Sequence, residues 1–303
     1  MFGGKRIVKQ AQVANRIALE RWWDELRASP RAREPGRLIA HGRKTYSQND
    51  EDGIVLEIFN RIGEGDRRFI EFGVQAGVEC NTALLLMAGW SGLWLDGSDK
   101  YVEAAKGHHA VAVGQGRLTV RKAFVTAENI DGLLGPWVGG TADKPASVDL
   151  LSIDIDGNDY WIWQAITAVR PRVVIIEYNA AYPPPVAFVA AYKADRVWDG
   201  GNYHSASLAS LEALGRAKGY ALVGCNLSGA NAFFVREDEL TGPDGQPRFA
   251  APYTAANHYE PPRYDLSGLP SGHPPRFGVN AAPELASRGK AWARPSPRRT
   301  TCR

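Results

Sequence analysis

Asp154, Asp156 and Asp159 fall within six residues, directly after an apolar run, in LLSIDIDGNDYWIWQAI at residues 150–166. A calcium loop of the form D-x-[DN]-x-[DN]-G needs Gly at its sixth place and Glu at its twelfth. Those places hold Asp159 and Ala165, so an EF-hand is excluded. Other chemistries remain open. Asp154 and Asp156 are two apart and share a face of an extended segment. Glu177 and Asn179, at the end of RVVIIEYN, are also two apart. If the two runs are neighbouring strands, Asp154, Glu177 and Asn179 converge, and such oxygen donors suit Mg2+ or Ca2+. Without a metal, Asp154, Asp156 or His204 (in WDGGNYHSAS) can act as general base for a hydroxyl group. The structural alternative is a turn that starts a helix, with acids placed to suit its N-terminus. Asp159 fits that role best.

The elements that position these residues alternate along the chain. Apolar strands are expected at 68–73, 92–98, 117–124, 147–155 and 172–179. Helices are expected at 50–61, capped by Ser47, and at 79–88, 100–106, 161–169 and 207–218. Two further strands, at 220–225 and 231–236, flank a short Asn/Ser/Gly turn and form an antiparallel hairpin at one edge. Alternation of this kind gives an α/β domain, a mostly parallel sheet with helices on both faces, over residues 45–240. Trp161, Trp163, Tyr178 and Tyr182 can wall an acceptor pocket, and core packing accounts for them equally well. His108 and His109 receive no role.

In open α/β sheets ligands sit beyond the carboxyl ends of the strands. The first strand exits through EFGVQAG, where Gly73 and Gly77 permit a tight turn, and the second exits at Asp96. The dinucleotide pattern G-x-G-x-x-G is absent. Glu71 stands where such folds take an apolar residue, and a carboxylate there suits a cationic group. Asp96 is placed to accept hydrogen bonds from a ribose diol.

FIEFGVQAGVECNT, WLDGS, VDLLSIDIDGNDYW, VIIEYN and GYALVGCNLSGANAFFV, with the earlier SQNDED, together resemble the FkbM-type branch of class I S-adenosylmethionine-dependent methyltransferases. The resemblance covers about residues 45–238. It implies a seven-stranded Rossmann-like sheet with one antiparallel strand near the edge, and a methyl donor lying across the first strand exits. On that basis Glu71, Gly73 and Gly77 hold the methionine end, Asp96 the ribose, and Ala123 and Phe124 the adenine. Val74, Gln75, Asn81, Ser98 and Asp154 complete the expected donor site. The set Asp154, Glu177 and Asn179 is similar to the divalent-metal site of catechol-type and some sugar O-methyltransferases. It departs from that site in having Glu-x-Asn in place of two adjacent ligands. Ala76 departs from a polar residue expected in the donor loop.

Composition bounds the reading. Residues 1–44 carry 11 Lys and Arg against 4 Asp and Glu, and residues 241–303 carry 9 against 4, while the whole chain is only +3. The middle is therefore acidic between two basic flanks. No aromatic residues interleave with the basic ones, which argues against nucleic acid. The 44% apolar fraction supports a sizeable core, and no run is long enough to span a bilayer. Three scattered cysteines argue against a disulfide framework and for a reducing cytoplasm. The basic residues 1–44 are expected as a helical extension, with a stripe of Leu19, Trp22, Trp23 and Leu26 at 10–28 that can pack on the domain or pair two subunits. Residues 241–303, with 11 Pro and 6 Gly, are expected as a loosely ordered tail. The expected activity is O-methylation of a small hydroxylated acceptor, a sugar or natural-product intermediate, using S-adenosylmethionine and, in the metal reading, Mg2+. The competing readings are a non-catalytic donor-binding module and a nicotinamide-dependent oxidoreductase.

Overall fold

The computed structural model describes residues 2–264; residues 265–303, most of the expected tail, lie outside the described residues. The elements run α1 (Phe2–Arg27), α2 (Glu51–Ile62), β1 (Arg68–Phe72), α3 (Ala83–Met87), β2 (Ser91–Asp96), α4 (Asp99–His108), α5 (Ala110–Gly114) and β3 (Leu118–Lys122). Then follow α6 (Ile130–Val138), β4 (Leu150–Ile153), α7 (Asp159–Ala165), β5 (Val173–Glu177), α8 (Leu208–Ala217), β6 (Tyr220–Cys225), β7 (Asn231–Arg236) and α9 (Ala255–His258). The strands form a seven-stranded sheet in the order β3-β2-β1-β4-β5-β7-β6. β7 runs antiparallel to both β5 and β6, and the other neighbours are parallel. This is the expected Rossmann-like α/β sheet, with the antiparallel strand one in from the edge.

The strands read as continuous apolar runs because both faces are covered. Successive side chains alternate between two cores. Ile70, Phe72, Leu93, Leu95, Leu151, Ile153 and Phe234 pack with Leu134 of α6, Trp163 of α7 and Leu211 of α8. Phe69, Trp94, Leu150, Val173 and Phe233 pack with Ile58 of α2, Leu86 of α3 and Val102 of α4 on the other face. Ser98 and Ser207 cap α4 and α8, accepting the N–H of Tyr101 and of Ser210.

Several expected elements differ in detail. α2 begins at Glu51 with Asp50 as its N-cap, and Ser47 instead exchanges hydrogen bonds with Asp52 in the first turn. The helix expected at 79–88 shrinks to α3, because the N–H groups of Asn81 and Thr82 are taken by the Glu71 carboxylate. α6 was not anticipated; its Gly132, Gly135 and Pro136 mask the helical pattern.

The tail boundary at 240 also moves. Residues 241–264 pack on the sheet, with Phe249, Ala255 and Glu260 buried. Glu260 is clasped by Arg31 and Arg263, and the Tyr178 hydroxyl donates to its backbone carbonyl at 2.6 Å. Trp23 and Leu26 of α1 pack against Ala32, Ile39 and Leu227, whereas Trp22 is exposed. Among the described residues no helix is long and apolar enough to cross a membrane. Replacing Glu260 with Ala leaves Arg31 and Arg263 without their shared carboxylate and should lower stability by about 2 kcal/mol. Chemical denaturation of the wild type and Glu260→Ala reads this directly, and equal midpoints would refute the clasp.

Candidate functional site

The carboxyl ends of β1 to β4 enclose a cavity of about 550 Å³, within the usual size range for a small-molecule site. Its floor is set by Gly73, whose φ of 74° lies in the left-handed region. A Cβ at Gly73 would stand 1.7 Å from the Asp154 carbonyl oxygen, so only glycine lets the β1 and β4 exits meet. Gln75 follows with φ 48°, a conformation that costs a non-glycine residue energy, and its N–H donates to Asp96 Oδ2 at 2.8 Å. The other oxygen of Asp96 accepts the Ser98 N–H, also at 2.8 Å. One lone pair on each oxygen thus remains for a ligand. Tyr101, Ala123, Phe124 and Val125 form an apolar wall at the β2 and β3 exits.

Of the residues expected at the site, Gly73, Gln75, Asp96, Ser98, Ala123, Phe124, Asp154 and Asp156 line this cavity. Glu71, Val74, Gly77 and Asn81 do not. Glu71 is buried under the loop, and its carboxylate accepts from the Asn81 and Thr82 N–H groups, the Thr82 hydroxyl and the Ser152 hydroxyl. Burial raises its pKa, and these donors oppose the rise. It therefore faces away from any ligand amine. Val74 belongs to the core. The Asn81 side chain donates to Ser152. A Cβ at Gly77 would collide with the Trp94 ring. His109 and His108 hydrogen-bond the carbonyls of Gly77 and Ala76, at 2.7 and 3.0 Å, and so fix the same loop to α4 and α5.

At the other end of the cavity the acids gather. Oxygens of Asp154, Asp156 and Glu177 all lie within 4.8 Å of one another. Asn179 is not among them: its amide donates to the carbonyls of Asn202 and His204, and its oxygen accepts the Ala181 N–H. The convergence expected of Asp154, Glu177 and Asn179 is instead one of Asp154, Asp156 and Glu177. Asp156 adopts φ 56°, which turns its side chain toward the other two exits. Asp159 begins α7 and ties down the turn by accepting the N–H groups of Ile155 and Gly157. The Ser205 hydroxyl lies 2.8 Å from Asp159 and 2.6 Å from Glu177.

Burial first, and then the neighbouring carboxylates, push Asp154 and Glu177 well above the usual carboxyl range; Asp156 is raised for the same reasons. His204 lies behind this group, buried and off the cavity wall, with Nδ1 3.2 Å from Ser205 Oγ and 3.7 Å from Glu177. Burial lowers its pKa, which favours the neutral ring. Of the aromatics weighed as pocket walls, Trp163 and Tyr178 are core residues. Trp161 donates to the Ala190 carbonyl, and Tyr182 stacks on Phe188.

Residues that sequence reasoning did not select also line the cavity: Gln48 and Glu79 beside the donor loop, Tyr101 on α4, and Arg196 and Trp198 from the long segment after β5. Gln48 was visible inside SQNDED. The three acids of that motif have a different task. Glu51 gathers the side-chain amides of Asn49, Asn226 and Asn231, Asp50 accepts the Leu227 N–H, and Asp52 accepts the N–H groups of residues 45–47.

No family model and no curated protein matches the chain. Solved structures do. The methyltransferase domain of bacterial CtHen1-C is 13% identical, with a TM-score of 0.40 over 62% of this chain and 97% of that one. A caffeoyl-CoA O-methyltransferase assigned in Staphylococcus aureus is 11% identical, with a TM-score of 0.40 over 78% and 100%. The N-terminal domain of EvdMO1, crystallised in the presence of SAH and D-fucose, is 16% identical, with a TM-score of 0.38 over 73% and 94%. The likeness is one of fold and extends no further. The functional reading rests on this chain's own side chains.

Because Glu71 organises the loop, Glu71→Ala should cost about 3 kcal/mol of stability by stranding its donors. Urea unfolding measures it. An unchanged midpoint would return Glu71 to the ligand site.

Proposed function

We propose that this protein transfers a methyl group from S-adenosylmethionine to a hydroxyl oxygen of a small acceptor. The observation that carries the reading is the charge of the cavity. Glu79, Asp96, Asp154 and Asp156 line it against the single basic side chain of Arg196. Such a wall repels the pyrophosphate of a dinucleotide and attracts a ligand with an ammonium and a sulfonium group. The nicotinamide alternative fails on this charge as well as on the missing glycine pattern.

In this reading Tyr101 and Phe124 flank the adenine, and Asp96 binds the ribose hydroxyls through its free lone pairs. The Gly73–Gln75 backbone supports the methionine end. With Glu71 turned inward, Glu79 and Asp154 are the carboxylates left to meet the donor amine. The acceptor lies over the β4 and β5 exits. Its oxygen attacks the methyl carbon, the C–O bond forms as the C–S bond breaks, and the electron pair stays on sulfur, leaving a neutral thioether. The hydroxyl proton passes to the acid group of Asp154, Asp156 and Glu177. Alignment of the two reactants supplies most of the rate.

Burial and the neighbouring Asp159 and Asp156 favour a proton on Glu177, and the Ser205 hydroxyl, 2.6 Å away, is placed to share it. The oxygen donors of Asp154, Asp156 and Glu177, within 4.8 Å of one another, fit Mg2+ in place of that proton. When bound, such a cation would acidify the acceptor hydroxyl.

Calorimetry with S-adenosylmethionine, S-adenosylhomocysteine and NAD+ tests the donor. Both adenosyl ligands should bind, and Asp96→Ala should weaken them about 30-fold through loss of charge-assisted hydrogen bonds. Binding of NAD+ alone would overturn the reading.

The acid group also sets a pH dependence. Its folded-state pKa values lie above the ordinary 3.8 and 4.5, so the folded chain holds more protons than the unfolded one above that range. Stability should therefore fall as pH rises from there through the raised values. Asp156→Asn or added MgCl2 should raise the melting temperature at pH 8 and have little effect at pH 5. Melting curves that ignore both would remove the shared-charge account.

A further inference from the structure

Arg196 is the basic residue among those lining the cavity, whose charged groups are otherwise acidic, and among the described residues its guanidinium forms no ion pair with them. Its hydrogen bonds go to backbone carbonyls, of Ala191 at 2.6 Å and Tyr203 at 3.5 Å. The group stacks over the Tyr203 ring, 5.5 Å from its centroid. Its Nε is buried with no hydrogen-bond partner among the described residues. The side chain is locked against the β4 exit: a Cβ on Gly157 would stand 2.4 Å from Arg196 Cδ. The glycine after Asp156 thus leaves the room that lets the arginine stem cross the acid loop.

A guanidinium held by stacking and by two carbonyls spends one N–H of each terminal nitrogen, and the second N–H on each is left to meet an acceptor oxygen from outside the chain. Its place decides which ligand. The Arg196 stem crosses Gly157 at the β4 exit, whereas Tyr101 and Phe124 follow β2 and β3. Arg196 is also close enough to His204 for its charge to lower that ring's pKa, after the larger effect of burial. This is the acceptor end in the methyltransferase reading, on which the inference rests.

We propose that Arg196 selects an acceptor carrying an anionic group, a carboxylate or a phosphate, near the hydroxyl to be methylated. The acidic remainder of the wall then orients that acceptor, because its anion has one favourable position. With the anion at Arg196, the acceptor hydroxyl is directed toward Asp154 and Asp156. Arg196 is a specificity residue and takes no part in the proton transfer.

The test uses the full chain loaded with S-adenosylhomocysteine and titrated with D-glucuronate, D-glucose 6-phosphate and D-glucose. These probes offer a hydroxylated ring with a carboxylate, with a phosphate and with no anion. At least one anionic probe should bind about tenfold more tightly than glucose, as expected for a charge-assisted contact, and which one does so identifies the anion. Arg196→Gln should abolish the preference and Arg196→Lys should restore part of it, with S-adenosylhomocysteine affinity unchanged in both. Equal binding of the three probes to wild type, no binding of any, or a preference that survives Arg196→Gln would each overturn the proposal. So would a variant that loses S-adenosylhomocysteine but keeps 5′-methylthioadenosine, because Arg196 would then hold the donor carboxylate. Failure of wild type to bind S-adenosylhomocysteine is a separate result that sinks the methyltransferase reading. The probe titrations repeated without it still report on Arg196.

Discussion

The contact between Gly73 and the Asp154 carbonyl is the constraint on which the site depends. β1 and β4 are neighbours in the sheet, and their exits must diverge to make room for a ligand while remaining close enough to share one cavity. Removing a single Cβ at Gly73 meets both needs. Glu71, two residues earlier, secures the same seam from below, joining the 81–82 loop to Ser152 of β4. The loop above this seam then has little freedom. Its carbonyls at Ala76 and Gly77 are held by His108 and His109, and Gln75 is driven into a left-handed conformation.

Strain and charge are concentrated where the seam opens. Of the non-glycine residues with positive φ among those described, Gln75, Asp156 and Ser205 stand at strand exits around the cavity or directly behind it. Each aims a polar group at a neighbour that is also polar. The acids of the β4 and β5 exits crowd together, Asp154 and Glu177 half-buried and Asp156 exposed, and their repulsion is a cost that packing alone would not select. Local strain and repulsion of this kind recur at functional sites.

The order of strands and helices was legible because the sheet is covered on both faces and its strands, the edge strand β3 (LTVRK) apart, are largely apolar. The strand-exit rule pointed to Gly73, Asp96 and Asp154 and the resemblance to Phe124, and all four line the cavity. What sequence could not show was the direction of each side chain. Glu71 and Asp154 both stand at strand ends as carboxylates, yet one turns into the helix start below and the other into the cavity, because Glu71 pairs in register with Ser152 inside the sheet whereas Asp154 lies one residue past the end of β4. Asn179 shares a face with Glu177 on paper, but its amide is consumed by the carbonyls of the loop at 202–204. Arg196 carried no signal, since it comes from an irregular segment whose path is set by contacts with Gly157 and Tyr203.

The basic flanks gain a physical explanation from the same packing. Arg31 and Arg37 of the N-terminal flank hydrogen-bond the Asn257 carbonyl, and Arg31 also pairs with the buried Glu260. Two charges of the N-terminal flank are therefore used to join the two ends of the described chain. That junction lies against the functional edge of the sheet. The hydroxyls of Tyr178 and Tyr259 bond the carbonyls of Glu260 and Ala180, across the chain that leaves β5 just after Glu177. The clasp thus fixes the β5 exit from outside, as Glu71 fixes the β1 exit from below. An acid group whose charges repel one another keeps its geometry because the exits that carry it are held at both ends.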